Sequence, residues 1–348
     1  MSTLCSFHAS SSLFEPPLGG GMEINMKNRI RIVLLLSFLV IAAVFITNKF
    51  VYNEGSKSLQ IIYIPKVNDG SDFWSSVIAG AEMAAKENEA KLEVIAPKDE
   101  TDILRQNELI LQAIDKKPDA IVVSPGSYEE NIDVLKKVKA AGIKLIYIDS
   151  GTRENIQDSI VATDNYEAGR KMGEYVKKSL DASSVIAIVA HVKNSSTAIE
   201  REQGFRDAIG NHEAQIAEVA YSNSDAVKAY DETKRLIKKY NIDVLACLNE
   251  YSAVGAARAV KELGLNDKIT IIGFDNSTEE IQLLEEGVFS AIVVQRAYSM
   301  GYLGIETAVS CIKGKSTKTN IDSGSLLITK DTMYDTENQE VLFPFYGD

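Results

Sequence analysis

Polar side chains follow short apolar, β-branched runs at seven places in the sequence. Each run is short enough to be a buried strand, and each residue that follows can donate or accept hydrogen bonds. These residues are Lys66, Ser124, Asp149, His191, Asn249, Asp275 and Gln295. Because they combine charged and amide groups with no metal-ligand or nucleophile spacing, they predict a binding site rather than a catalytic one.

The segments after these runs predict how the sheet is built. Six of the seven runs are followed by a helix-patterned stretch, and after the first run a loop carrying Phe73 and Trp74 comes between. Alternation of short buried strands with amphipathic helices is typical of a parallel α/β sheet. Ligands bind outside the carboxyl ends of the strands in such sheets, so the strand-end residues are expected to converge there.

The composition limits the partners and the chemistry. The chain has 348 residues, 45% of them hydrophobic, which is enough for two α/β lobes of ordinary size. The formal net charge of −12 argues against a nucleic-acid partner, because phosphates would be repelled. Cys5, Cys247 and Cys311, like the three histidines, are too scattered for a metal site, so no metal or cofactor is expected.

An apolar run near the amino terminus predicts a membrane segment. Residues 32–46 are apolar with one exception, and the basic residues Lys27, Arg29 and Arg31 precede this run. A membrane-spanning helix needs roughly 20 residues, so the predicted span extends over residues 27–52. Because positive charge favours the cytoplasmic side, we expect an uncleaved single-pass signal anchor in the cell membrane, with the remaining chain outside the cytoplasm.

A cleaved signal peptide is the alternative for this segment. The small residues Ala42 and Ala43 lie inside the apolar run, which disfavours cleavage there. No cysteine lies near the end of the run, so the usual lipid-anchoring site of Gram-positive lipoproteins is missing. Residues 1–26 are predicted to be either disordered or an over-extended start, and residues 53–58 to be a linker.

Beyond the linker the pattern predicts two successive α/β halves. A helix at residues 298–313 and a strand at residues 325–329 follow after both halves are complete. This order indicates that the chain crosses back between lobes. The predicted fold is therefore two doubly wound parallel-sheet lobes joined by a hinge of several crossovers. The predicted lobes are residues 59–163 with 296–323, and residues 164–295 with 324–340.

Several motifs occur in a specific order within residues 59–332. They are Ala162-Thr163-Asp164-Asn165 before a helix, Arg201-Glu202-Gln203-Gly204-Phe205, Leu248-Asn249-Glu250, Gly273-Phe274-Asp275, and Gln295 at a strand end. In order and spacing they resemble the type I periplasmic sugar-binding proteins, which include the ribose-, xylose- and galactose-binding proteins. The resemblance implies a two-lobed protein that closes on a monosaccharide without a cofactor.

The resemblance also implies which residues contact the ligand. They are Phe73, Trp74, Asp149, Arg201, Asn249, Asp275 and Gln295, with Lys66, Ser124 and Thr163 as further candidates. An aromatic ring suits the C–H face of a sugar, while carboxylates, amides and a guanidinium suit its hydroxyls. The family often has Arg after the aspartate at Asp149, whereas this chain has Ser150, which leaves the identity of the sugar open.

Structural roles remain alternatives for some of these residues. Asp149 follows a strand, where aspartate also serves as a turn former or helix cap. Phe73 and Trp74 are adjacent at a helix start and cannot both face one core, so at least one is expected in the cleft. We interpret His191 as a loop histidine and Asp164 as a helix cap.

The predicted function is an extracytoplasmic receptor for a pentose or hexose of the xylose or ribose type. Its predicted partners are the sugar, the membrane, and either a sensor histidine-kinase ectodomain or an ABC permease. Ile64-Pro65-Lys66 and Asp72-Phe73-Trp74 are most similar to clostridial members of the family, among them membrane-anchored xylose-sensing receptors. Together with the missing lipid-anchoring cysteine, this places sensing ahead of transport.

Two other functional classes fit the sequence less well. A sugar-responsive transcription factor would need a basic helix-turn-helix before the first strand, where this chain has the hydrophobic segment. An enzyme is not predicted, because there is no G-x-G-x-x-G after the first strand, no Walker loop and no G-x-S-x-G. Asp149 and Asp275 could act as a hydrolase pair, but the family resemblance favours hydroxyl binding.

Overall fold

The computed structural model describes residues 25–52 and 58–343. The chain divides into two units, with the boundary between Lys57 and Ser58. Most of the predicted start (residues 1–26) and of the predicted linker (residues 53–58) lies outside the described residues. The described part of the first unit contains one helix, α1 (Met26–Tyr52).

Helix α1 coincides with the segment predicted to be a signal anchor. Of the side chains described there, the large apolar ones between Leu34 and Ile41 are exposed. Within residues 25–52 and 58–343, no helix is both long and apolar enough to cross a membrane. The prediction of a single-pass anchor over residues 27–52 is not confirmed.

The second unit alternates strands and helices along the chain. Its first half contains β1 (Gln60–Ile64), α2 (Asp72–Glu87), β2 (Lys91–Val94), α3 (Ile103–Asp115), β3 (Ala120–Val123), α4 (Ile132–Ala140), β4 (Lys144–Ile148) and β5 (Ser159–Ala162). Its second half contains α5 (Asn165–Lys177), β6 (Ile186–Ala190), α6 (Ser196–Ile209), a 3-10 helix (Gly210–Gln215), β7 (Ile216–Tyr221), α7 (Ala226–Lys239), β8 (Val244–Cys247), α8 (Glu250–Glu262), β9 (Thr270–Phe274), α9 (Thr278–Glu285), β10 (Ala291–Gln295), α10 (Ala297–Ile312), β11 (Asn320–Asp322), β12 (Ser325–Ile328) and α11 (Thr336–Leu342).

The strands form two six-stranded sheets, one in each lobe. The first lobe has the order β11-β5-β4-β3-β1-β2, with every pair parallel. The second has the order β12-β10-β9-β8-β6-β7, in which only β12 runs antiparallel to its neighbour. The prediction of two α/β lobes with parallel sheets is confirmed. The short strands β5 and β11 were not predicted, because β11 pairs with β5 across a long separation in sequence.

The chain passes between the two sheets three times. It crosses from β5 to α5, from β10 to α10, and from β11 to β12. Helix α10 packs on α2 and the first sheet although it follows the second half in sequence. Three connections at one place leave the lobes joined by short segments, which is the arrangement that hinge closure uses.

Alternation along each strand places apolar side chains on both faces of a sheet. In β1, Ile61 and Tyr63 pack with α2 and α10, whereas Ile62 and Ile64 pack with α3 and α4. The second sheet is covered in the same way, by α5 and α6 on one face and by α7, α8 and α9 on the other. Because both faces are buried, the strands are continuous apolar runs.

Two glycines allow the closely packed helix pair α5 and α6. A Cβ at Gly169 would lie 2.1 Å from the carbonyl oxygen of Arg201, and one at Gly204 would lie 2.0 Å from the carbonyl oxygen of Tyr166. Glycine therefore permits an approach that alanine would block. This packing fixes the backbone of α6 from which the Arg201 side chain projects.

Candidate functional site

The two sheets face a cavity of about 310 Å³ between the lobes. All seven residues that the family resemblance implies as ligand contacts line it: Phe73, Trp74, Asp149, Arg201, Asn249, Asp275 and Gln295. Lys66 lines it as well. The fold thus gathers residues that are up to about two hundred positions apart in sequence, and their contact with a ligand stays a prediction.

Ser124 and Thr163, the remaining candidates, do not line this cavity. Ser124 is fully buried, and its hydroxyl lies 3.1 Å from that of Tyr63 within the first lobe. Thr163 lies between β5 and α5, where its hydroxyl is 3.3 Å from that of Ser323. Both hydroxyls find partners within the protein, which gives these residues a structural role in the lobe core and at the hinge.

The first lobe contributes a buried ion pair to the cavity, formed by Lys66 and Asp149. The ammonium nitrogen of Lys66 lies 2.7 Å from Oδ2 of Asp149. It also donates a longer bond of 3.4 Å to the Thr197 hydroxyl of the second lobe. A buried charge is costly without a counter-charge, so each member of the pair makes the burial of the other tolerable.

Asp149 and Asp275 share an unusual backbone conformation. Each directly follows a strand, and their φ values are +70° and +87°. A side-chain-bearing residue in this region costs roughly 1–2 kcal/mol, although aspartate tolerates it better than most. Such conformations cluster at ligand sites, where surrounding contacts maintain them. The two lobes thus use the same turn to place a carboxylate at the cavity.

Asp275 is the centre of a hydrogen-bond network in the second lobe. Its Oδ1 accepts from Nε2 of Gln295 at 2.7 Å, and its Oδ2 accepts from the backbone N–H of Glu250 at 3.0 Å. Burial raises the pKa of Asp275, while the charge of Arg201 and these hydrogen bonds act in the opposite direction. The network fixes the orientation of the carboxyl group before any ligand is present.

Arg201 is also held by its own lobe. Its Nε donates to Oδ1 of Asn165 at 2.8 Å, and its Nη1 donates to the carbonyl oxygen of Leu248 at 2.7 Å. Its guanidinium carbon lies 3.7 Å from the centre of the Phe274 ring, a stacking distance. A guanidinium fixed on two edges and one face presents a defined donor geometry, which suits bidentate contact with adjacent hydroxyls.

Asn249 combines a structural bond with a place at the cavity. It is the N-cap of α8, and its Oδ1 accepts from the backbone N–H of Ser252 at 3.0 Å. Its amide nitrogen lies 3.4 Å from the Ser224 hydroxyl, within reach of a weak bond. The cap fixes the amide plane, so the nitrogen has one orientation toward the cavity.

The aromatic pair Phe73 and Trp74 lies at the start of α2. The ring centres are 5.1 Å apart and the planes meet at 77°, which is an edge-to-face contact. Trp74 is buried, and its Nε1 donates to Oε1 of Glu100 at 2.8 Å. Both rings line the cavity, and both also pack with the core of the first lobe. The premise that two adjacent aromatics cannot both face one core is therefore wrong, because both rings pack with the same core at the edge of the cavity.

Three buried polar atoms of cavity-lining residues have no hydrogen-bond partner among residues 25–52 and 58–343. They are Oδ2 of Asp149, Nδ1 of His191 and Oε1 of Gln295. The ion pair of Asp149 brings Lys66 close without an aligned hydrogen bond. Buried polar atoms in native proteins are almost always satisfied, and leaving one unpaired costs about 1–3 kcal/mol. A ligand with several hydroxyl groups would supply the missing partners.

Five cavity-lining residues were missed at the level of sequence: Glu100, His191, Thr197, Glu250 and Tyr251. His191 directly follows strand β6, as Asp149 and Asp275 follow theirs, and that position was the signal that could have identified it. Glu250 and Tyr251 directly follow Asn249 at the start of α8. Glu100 and Thr197 lie in or near loops, and no local pattern distinguishes them.

Burial changes the ionisation of these missed residues. It lowers the pKa of His191 well below its usual value, with the charges of Arg201 and Lys66 adding to the effect, so the ring is neutral. It raises the pKa of Glu100 despite the opposing charge of Lys66. Burial likewise raises the pKa of Glu250 to about 8. At neutral pH the cavity therefore carries fewer negative charges than its four carboxyl groups would suggest.

Comparison with protein families identifies the chain. Residues 61–316 match the family described as "Periplasmic binding protein domain". The chain belongs to this family. The match covers both sheets up to α10 and includes every residue that lines the cavity.

Individual relatives of this periplasmic binding protein are sugar-binding proteins by name. The D-ribose/D-allose-binding protein of Pseudomonas aeruginosa is 26% identical over 293 residues, which is 81% of this chain and 92% of that protein. A sugar transporter from Clostridium phytofermentans has a crystal structure that is 46% identical, with a TM-score of 0.75 over 79% of this chain and all of that one. A carbohydrate transporter solute-binding protein from Agrobacterium radiobacter, solved with D-arabinose, is 27% identical, with a TM-score of 0.77 over 83% of this chain and all of that one.

Proposed function

We propose that this protein is an extracytoplasmic binding protein for a single monosaccharide, a pentose or a hexose, which it delivers to an ABC transporter. The lining of the cavity supports a small polar ligand, since charged and amide side chains from both lobes converge on it together with two aromatic rings. Relatives named as D-ribose/D-allose-binding and D-arabinose-bound proteins support a sugar of this size.

The unpartnered buried atoms at the cavity are the observation that carries this proposal. The amide oxygen of Gln295 and a carboxyl oxygen of Asp149 can accept from a hydroxyl, and the imidazole nitrogen of His191 can accept or donate according to its tautomer. An aromatic pair at the same cavity supplies the apolar surface that the C–H face of a sugar ring needs. Hydroxyl-matching sites discriminate strongly, because an analogue lacking the hydroxyl leaves a buried polar group unpaired.

Closure of the two lobes is the expected mechanism. The cavity is bounded by residues of both lobes, so a ligand enters while the lobes are apart and is enclosed when they come together. The ligand stabilises the closed form only by binding it more tightly than the open form. The three short connections between the sheets supply the hinge about which this movement occurs.

The test is a thermal-shift screen of the full chain with D-ribose, D-allose, D-arabinose, D-xylose and D-galactose. A sugar at about 100 times its dissociation constant should add roughly 2.7 kcal/mol to the free energy of unfolding, a shift of several degrees. Asp275→Ala is expected to abolish the shift. Asp225→Ala, which removes the N-cap of α7 in the same lobe, should retain it. No shift with any of these sugars would contradict the proposal.

A histidine-kinase ectodomain as the partner stays a prediction. The similarity to proteins named as transport components favours a permease instead. Cells lacking this protein would decide between the two partners. Loss of uptake of the radiolabelled sugar supports delivery to a permease. Normal uptake, with loss of the transcriptional response to the sugar, would instead support sensing.

A further inference from the structure

The N-terminus of α2 lacks a cap from its own residues. Ser71 occupies the N-cap position but makes no side-chain hydrogen bond to the helix. The carboxyl group of Glu250, from the other lobe, takes its place. Its Oε2 accepts from the backbone N–H of Phe73 at 3.0 Å, and its Oε1 accepts from that of Asp72 at 3.3 Å. Two first-turn N–H groups that would otherwise be unpaired are thus satisfied across the cleft.

A second cap runs in the opposite direction. Oδ2 of Asp72, in the first lobe, accepts from the backbone N–H of Thr278 at 2.7 Å, at the start of α9 in the second lobe. Within α9 itself, Ser277 and Glu280 form a capping box that satisfies other N–H groups. Each lobe therefore caps a helix of the other. We call Glu250 and Asp72 the interlobe caps.

The interlobe caps connect the polar side of the cavity with its aromatic side. The backbone N–H of Glu250 donates to Asp275, and its side chain holds the first turn of α2. That turn carries Phe73 and Trp74. Glu250 consequently links Asp275 directly to the turn that carries the two rings.

We propose that Glu250 and Asp72 are positioning residues, which hold Phe73 and Trp74 against the bound sugar when the lobes close. The proposal rests on the proposed function and deepens it. In this proposal, part of the affinity for the sugar comes from the interlobe caps and not from direct contacts with the ligand. The caps join the two lobes directly, so they favour every ligand that permits closure and do not select among sugars.

The environment of Glu250 indicates that hydrogen bonding, rather than charge, carries the contact. Burial raises the pKa of this carboxyl to about 8, and the neighbouring Asp275 and Asp72 act in the same direction. A largely neutral carboxyl resembles the side-chain amide of glutamine in shape and in its carbonyl acceptor. Glu250→Gln keeps one acceptor oxygen and should preserve one of the two bonds, whereas Glu250→Ala should remove both.

The experiment uses Trp74, which is the one tryptophan in the sequence. D-ribose and D-allose are titrated into the full chain and followed by tryptophan fluorescence, with acrylamide quenching at saturation. We expect Glu250→Ala to weaken the binding of both sugars about tenfold and to expose Trp74 to the quencher. Asp72→Ala, at an exposed position, should weaken the binding of both sugars about threefold, and Glu250→Gln, which keeps one acceptor oxygen, should weaken it less than Glu250→Ala does.

Asp225→Ala is the matched control. The Asp225 carboxylate also accepts from two first-turn N–H groups, those of Val227 and Lys228, but within one lobe. Its loss should leave sugar affinity and quenching unchanged. Unchanged affinity in Glu250→Ala would overturn the proposal. A changed ratio between the two sugars would also overturn it, because that result indicates direct ligand contact.

A failure of the proposed function is distinguishable from a failure of the caps. If no sugar alters the wild-type protein, hydrogen exchange without ligand decides the question. The amide of Phe73 should exchange faster in Glu250→Ala, and that of Thr278 faster in Asp72→Ala, than either does in Asp225→Ala. Equal exchange in all three variants would reject the interlobe caps whatever the ligand is.

Discussion

The two sides of the cavity are held in different ways. In the second lobe, Arg201 and Asp275 are fixed by bonds to other residues of that lobe. In the first lobe, several groups reach across the cleft for their partners. Lys66 donates to Thr197, and Glu100 accepts from the Ser224 hydroxyl at 2.6 Å. Arg201 and Asp275 of the second lobe are thus held within that lobe, whereas Lys66 and Glu100 of the first lobe complete their hydrogen bonds through closure.

This difference indicates how binding proceeds. A preorganised half can take up a ligand without ordering its own side chains, which saves conformational entropy. The other half then closes over the ligand and exchanges water for interlobe bonds. Affinity at the second lobe should therefore depend on direct contacts, and affinity at the first lobe should depend on closure as well.

The largest expected effect tests the preorganised half. Arg201→Ala removes a buried, charge-assisted donor set and should weaken sugar binding by about 100-fold or more, measured by isothermal titration calorimetry. Arg206→Ala, on the same helix, removes a half-exposed ion pair with Glu202 and should change affinity little. Equal affinities of the two variants would contradict the assignment of Arg201 to the ligand.

A smaller effect is expected from the aromatic side. Trp74→Ala should weaken binding about tenfold, because the ring surface and the bond to Glu100 are both lost. Trp74→Phe keeps an aromatic surface, so sugar affinity should fall only about threefold. Calorimetry on both variants separates stacking from the hydrogen bond. If the two variants lose sugar affinity equally, the hydrogen bond to Glu100 is the main contribution of Trp74 to binding.

The pH dependence sharpens the comparison further. The pKa of Glu250 is raised to about 8 by burial in the closed arrangement, above its ordinary value. Closure therefore takes up a proton while Glu250 is ionised in the open form. Closure is favoured at low pH and loses stability as pH rises toward 8, after which the effect levels off. We expect sugar affinity to fall several-fold between pH 6.5 and pH 8.5.

Glu250→Gln is the control for this pH dependence. Because burial also raises the pKa of Glu100 and of Asp275, the variant should show a shallower slope and not a flat one. Fluorescence titrations at four pH values would measure both slopes. An unchanged slope in the variant would exclude Glu250 as a contributor.

The smallest effect on affinity is expected at the two candidates that lie away from the cavity. Ser124→Ala and Thr163→Ala should each leave sugar affinity within about twofold. Ser124→Ala should lower the free energy of unfolding by about 1 kcal/mol, because the buried Tyr63 hydroxyl loses its partner. Urea unfolding and calorimetry measure the two quantities. Weakened sugar binding with an unchanged free energy of unfolding in Ser124→Ala would indicate instead that Ser124 contacts the ligand.

Much of the fold could be predicted from local pattern. Strands such as β3 and β10 are continuous apolar runs, and helix starts such as those capped by Asp102 and Asp164 carry recognisable N-caps that the structure contains. The short strands β5 and β11 at one side of the first sheet could not be predicted, since the pairing of β11 with β5 joins segments far apart in sequence. Ser124 shows the limit for the site, because its strand-end position resembles that of Asp149 yet its hydroxyl points to Tyr63.

The sequence by itself determined the alternation of strand and helix, because burial on two sheet faces requires apolar runs and burial on one helix face requires periodicity. It also determined which chemical groups stand at the strand ends. Only the tertiary structure decided which of these groups meet. Glu250, His191 and Glu100 join the cavity through packing of the two lobes, and the interlobe caps exist only where α2 and α9 approach each other. Contacts between distant segments depend on three-dimensional packing, which no local pattern encodes.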